Sequence, residues 1–175
     1  MFMKTVKKIF DILSNLVLCV VCVFLLLVAP MLIGYKPVMV LSGSMEPEFN
    51  VGSVIYYKDT AFENIQVGDP ITFYMGDGGA LVTHRVVEKD ELSQEFITKG
   101  DANNSRDTSP VAYDRVVGKA LEFCIPYAGY FTVFCRQIPV IVTLGAILLF
   151  NAVLDYFVPD EKRETENKEE GAIGE

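Results

Sequence analysis

The apolar positions of the chain fall into two long runs, one near each end, with short alternating segments between them. Leu16 to Ile33 gives eighteen consecutive positions without a charge, nearly all Leu, Val, Cys, Phe, Ala, Met or Ile. At ~1.5 Å per residue that run covers about 27 Å, close to the hydrocarbon thickness of a bilayer. A transmembrane helix over 12–34 is expected, preceded by a basic N-terminus, 1–11, carrying Lys4, Lys7 and Lys8. Only Lys36 follows closely, so the excess of positive charge puts the N-terminus in the cytoplasm and sends the next segment outward. A cleavable signal peptide has the same layout. The run is longer than such a peptide's apolar core, and Ala29-Pro30-Met31 makes a poor cleavage site, so an uncleaved anchor is expected.

The second run, Ile138 to Val158, is long enough to span but contains Asn151 and Asp155. Arg115, Lys119 and Arg136 precede it and Lys162, Arg163 and Lys168 follow, so basic residues do not orient it. A second transmembrane helix over 137–158 is expected, with an interfacial helix as the alternative. The tail 159–175 holds seven acids against three bases and reads as a disordered, solvated end.

Between the runs, 35–130 reads as β structure. Val54 to Tyr57, Ile71 to Met75, Leu81 to Glu88, Phe96 to Thr98 and Val116 to Cys124 are short β-branched or aromatic segments. Gly52, Gly68-Asp69, Gly76-Asp77-Gly78-Gly79, Gly100-Asp101 and Asn103-Asn104 separate them as turns. The expected fold is mostly β: a compact, antiparallel, barrel-like domain flanked by N- and C-terminal transmembrane helices. Pro70 cannot donate to a ladder, so its strand should begin at an edge or a turn.

Composition removes several classes of function. A formal net charge of −8 and a pI near 4.7 argue against nucleic acid as a partner. One histidine and scattered cysteines cannot build a metal site of the usual spacing, and no cofactor motif is present. Cys19 and Cys22 sit inside the first apolar run, where a redox pair would lack water, and read as packing residues. Whether Cys124 and Cys135 pair is left open.

Three segments of the β region could carry chemistry. Leu41-Ser42-Gly43-Ser44-Met45-Glu46-Pro47 offers a serine beside a glycine, though alone it reads as a turn. Thr83-His84-Arg85 sits inside a strand, with His84 on the face of Val82 and Val86. A single histidine among apolar neighbours is more often an interior residue. Lys99-Gly100-Asp101, with Asn103-Asn104 and Asp107 beyond, forms a polar loop. Together they could act: a serine hydroxyl needs a base to take its proton, and imidazole suits that task near neutral pH. A carboxylate would hold the base's tautomer and stabilise the imidazolium.

In order and character, these segments resemble the boxes of the type I signal peptidase family. Val40 to Pro47 looks like the nucleophile box, and Val67-Gly68-Asp69, Thr83-His84-Arg85-Val86 and Lys99-Gly100-Asp101 with Asp107 match the later ones. The similarity covers about Gly34 to Pro126. Where the common bacterial branch carries a lysine base, this chain has His84, as in the endoplasmic-reticulum-type branch of eukaryotes, archaea and some Gram-positive bacteria. The resemblance implies Ser44 as nucleophile and His84 as general base. Asp107 matches the third member best, with Asp101 as the alternative or supporting acid. It also implies an oxyanion hole from the Ser44 N–H and the Ser42 hydroxyl.

The implied activity is cleavage of signal peptides from exported preproteins, after small residues, at a bilayer surface. The implied location is a plasma membrane, with the site on the extracytoplasmic side, or the endoplasmic reticulum in a eukaryote. Accessory subunits are not legible, and the client range could be general or dedicated. Ser44 lies eleven residues past Ile33, so an extended chain keeps it within about 40 Å of the membrane exit. Val38, Met39, Met45 and Phe49 are expected to rest on lipid. The reading from a different class is a catalytically silent, membrane-anchored β domain that binds extended peptides by strand addition.

Overall fold

In the computed structural model, which describes residues 2–76 and 79–157, the middle of the chain forms one seven-stranded sheet in which every pairing is antiparallel. Its strands are β1 (Lys36–Met39), β2 (Val54–Lys58), β3 (Pro70–Met75), β4 (Ala80–Asp90), β5 (Glu95–Lys99), β6 (Val111–Ala112) and β7 (Val116–Ile125). The spatial order is β1-β2-β7-β3-β4-β5-β6. Although β1 and β4 are separated by three strands, both line one groove, so the sheet curls over on itself.

The five expected strands are present, each within two residues of its predicted ends. β1 and β6 were not expected, and both lie at the ends of the sheet. Pro37 sits inside β1, where the missing N–H is tolerated because an edge strand pairs on one side. Pro70 opens β3 directly after the turn at Gly68, whose φ is +100°, so the strand starts at a turn although β3 lies inside the sheet.

Two apolar clusters fill the sheet's interior. One joins Phe62, Ile65, Ile71, Phe73, Val86, Phe96 and Val111. The other joins Met45, Phe49, Ile55 and Ala120. The expectation that Met45 and Phe49 lie on lipid is therefore wrong, because they are 2% and 0% exposed. The short 3-10 turn Gly43–Met45 tucks Met45 inward, and the Phe49 N–H bonds to the Met45 carbonyl at 2.9 Å. Burying a Phe contributes about 1.5–3 kcal/mol, more than a lone ring gains at an interface it shares with water.

The chain divides into two compact units, residues 26–133 and the pair 1–25 with 134–175. Helix α1 (Phe2–Val28) continues into a 3-10 turn, Ala29–Ile33, that Gly34 ends in a left-handed conformation. It starts well before position 12, since the lysines of 1–11 are themselves good helix formers. The unexpected helix α2 (Ala128–Cys135) is rich in aromatic and β-branched residues, which hides its helical tendency. Helix α3 (Ile138–Phe157) follows. Residues 5–33 and 138–157 form two helices long and apolar enough to cross a membrane. Within their unit Lys7 Nζ lies 3.1 Å from Asp155 Oδ1, and the rings of Phe10 and Phe150 are 4.6 Å apart, so α1 and α3 run antiparallel. The four cysteines carry free thiols. The acidic tail, 159–175, lies outside the described residues.

Candidate active site

Alternation along β4 buries His84 and Val86 and turns Thr83 and Arg85 to the other face. His84 is 5% exposed, and the ring of Phe73 meets it edge-on at 6.3 Å. Its Nδ1 lies 2.7 Å from Asp107 Oδ2 and its Nε2 lies 3.2 Å from Ser44 Oγ. A carboxylate can only accept, so Nδ1 carries the proton and Nε2 presents its lone pair to the serine hydroxyl. Ser44, His84 and Asp107 thus form one hydrogen-bonded relay across 63 residues of sequence.

Asp101 is directed elsewhere. Its two oxygens take Arg85 Nε at 2.8 Å and Nη2 at 2.6 Å, while Arg85 Nη1 bonds the Gly68 carbonyl at 2.8 Å. These bonds to Asp101 raise the Arg85 pKa above its ordinary value. The forked pair, with side chains 25% and 21% exposed, ties the loop after β5 to β4 and to the turn before β3.

That loop also holds the Ser44 backbone. The Ala102 N–H bonds the Ser44 carbonyl at 2.9 Å. A Cβ on Gly100 would stand 2.5 Å from that same carbonyl oxygen, so only glycine permits the approach. Ser44 is seated on one apolar cluster by its neighbour Met45, and His84 on the other by Phe73 and Val86. Ser42 Oγ lies 3.4 Å from Ser44 Oγ. A cavity of about 80 Å³ runs from these serines between β1 and β4, walled by Val38, Val40, Met45, Phe49, Ile55 and Val82 among others. No group of residues suited to a metal ion occurs among the described residues.

Of the sequence-derived candidates, Ser42, Ser44, His84 and Asp107 converge, and Asp101 stands beside them on Arg85. Thr98 had no sequence signal beyond its β propensity, yet its hydroxyl bonds Asp107 Oδ2 at 2.6 Å. A serine hydroxyl, an imidazole and a carboxylate thus stand in series on an antiparallel sheet, the arrangement a Ser-His-Asp site requires.

Known proteins narrow the class. No family model matches the chain. It is 44% identical over 100 residues to signal peptidase I W of Bacillus subtilis, a match covering 55% of this chain and 52% of that protein. Over 127 residues it is 32% identical to signal peptidase complex catalytic subunit SEC11C of Rattus norvegicus, covering 64% and 66%. The SEC11 catalytic subunit of Fusarium vanettenii is 31% identical over 112 residues, covering 58% and 64%. The matches thus span between half and two thirds of these relatives' length. Through them the chain is similar to signal peptidase I and to the catalytic subunits of the signal peptidase complex.

Proposed function

We propose that this chain is a membrane-bound serine endopeptidase that removes signal peptides from exported preproteins, with the active site outside the cytoplasmic face of a plasma membrane. The carrying observation is the relay from Ser44 Oγ through His84 to Asp107, at 3.2 and 2.7 Å. In this reading His84 Nε2 takes the Ser44 proton as Oγ attacks the scissile carbonyl carbon. Asp107 keeps the proton on Nδ1 and stabilises the imidazolium. The oxyanion is met by the Ser44 N–H and the Ser42 hydroxyl. Collapse of the tetrahedral intermediate breaks the C–N bond, and His84 returns its proton to the leaving amine. Water, deprotonated by His84, then frees the acyl group from Ser44.

The cavity beside the serines favours small side chains, because about 80 Å³ leaves little room for a large one. β1 pairs with β2 along one side, so its other edge can take an extended substrate as an added strand. Ser44 lies eleven residues past Ile33, so a spanning first helix would keep it within about 40 Å of the membrane exit and raise the effective concentration of a cleavage site emerging there.

The test is preprotein cleavage by membranes carrying the full chain or its Ser44→Ala variant. Wild-type membranes should release mature protein and the variant should not, with a loss of roughly 10³-fold or more. Unimpaired function of Ser44→Ala would favour the silent peptide-binding domain instead.

A further inference from the structure

Behind the carboxylate that faces His84 stands a buried hydroxyl. Thr98 is 0% exposed and lies opposite Val86 in the β4–β5 ladder. Val86 is two residues from His84 along β4, so Thr98 and His84 project from the same face of the sheet. Thr98 Oγ1 donates to Asp107 Oδ2 at 2.6 Å, the same oxygen that receives His84 Nδ1–H at 2.7 Å. The Asp107 N–H donates in turn to the Thr98 carbonyl at 2.8 Å. Side chain and backbone together clamp Asp107 to β5 at the end of a loop that has no strand of its own.

We propose that Thr98 is a positioning residue for the His84–Asp107 pair, an inference that rests on the peptidase reading above. It fixes the carboxylate against the imidazole and tempers its charge. Oδ2 divides its charge between the hydroxyl proton and the imidazole N–H, so losing the hydroxyl would leave more of it to favour the charged ring. Without the hydroxyl the carboxylate is both less constrained and more basic. Other charges face the site as well: Arg85 pairs with Asp101 and Arg106 with Glu88, while Glu88, Asp90, Glu95 and Arg115 line cavities with Asp107, and none of them is altered by the change.

The experiment compares the detergent-solubilised full chain with Thr98→Val, Thr98→Ala and Thr98→Ser. Two properties are read: the pH profile of kcat for a preprotein, and the ring-proton NMR titration of His84, the chain's only histidine. Thr98→Val and Thr98→Ala should lower kcat roughly ten- to a hundredfold with KM little changed, the equivalent of one charge-assisted hydrogen bond. Their acid limb and the His84 midpoint should both move to higher pH. Thr98→Ser, which keeps the hydroxyl, should stay within about threefold of wild type at an unchanged midpoint. If valine does not fold, the alanine and serine variants give the same comparison. An unshifted His84 midpoint in the hydroxyl-free variants, or equal losses in Thr98→Ser, overturns the proposal. A wild-type chain that cuts no preprotein defeats the peptidase reading alone; the titration then still decides Thr98.

Discussion

At the residue scale, two aspartates six positions apart have different environments, and the difference has kinetic consequences. Asp107 touches the imidazole, so Asp107→Asn removes the charge that would stabilise the imidazolium and should cost roughly 10³- to 10⁴-fold in kcat. Asp101 touches Arg85, so Asp101→Asn leaves a guanidinium without its charge partner in a site three-quarters covered. It should lower stability by about 1–3 kcal/mol and rate far less. Thermal unfolding and steady-state rates of both variants, measured side by side, separate the two roles; the reverse pattern would exchange them. Sequence alone offered both aspartates, because a polar loop of Gly, Asp and Asn leaves each free to point either way. Ser44 and His84 were legible because their boxes flank them tightly. Thr98 was not, since a threonine inside a strand needs no explanation beyond its propensity.

Among elements, the central strands were readable from alternation and turn residues, while the edges and the helices beside them were not. β1 contains a proline and β6 has two residues, so neither offers a period long enough to detect. Met45 and Phe49 misled for a related reason: apolar residues after a membrane segment look lipid-facing until a 3-10 turn directs them to a core. The apolar helices were plain from length, but their pairing was not. Residues Lys7, Phe10 and Val17 share a face of α1, and Phe150 and Leu154 share one of α3, with Asp155 beside it; Val17 and Leu154 are buried. Asp155, interrupting an otherwise apolar run, thus has Lys7 as its counter-charge. With Asp155 about half exposed, the pair is worth only about 1 kcal/mol. Lys7→Glu should lower the melting temperature of the solubilised chain, and adding Asp155→Lys should recover most of the loss. A double variant no better than the single one would refute the pairing.

The whole molecule comprises two apolar helices and a curled antiparallel sheet whose loop after β5 organises the site. Asp101 anchors that loop to β4, Ala102 holds Ser44, and Asp107 meets His84, so seven residues tie Ser44, His84 and Asp107 to one frame. The mostly β class and its flanking helices could be read from the hydrophobic pattern. The convergence of the three side chains could not, since it depends on a sheet order in which distant segments become neighbours. The central claim is that Ser44 carries the acyl group during turnover. Mass spectrometry of the full chain, acid-quenched while turning over an ester analogue of a signal-peptide cleavage site, tests it most directly. The expected result is a mass increase equal to the acyl group, mapped to the Ser44 peptide and absent from Ser44→Ala. Turnover with the adduct on another residue, or an equal adduct in Ser44→Ala, would contradict it.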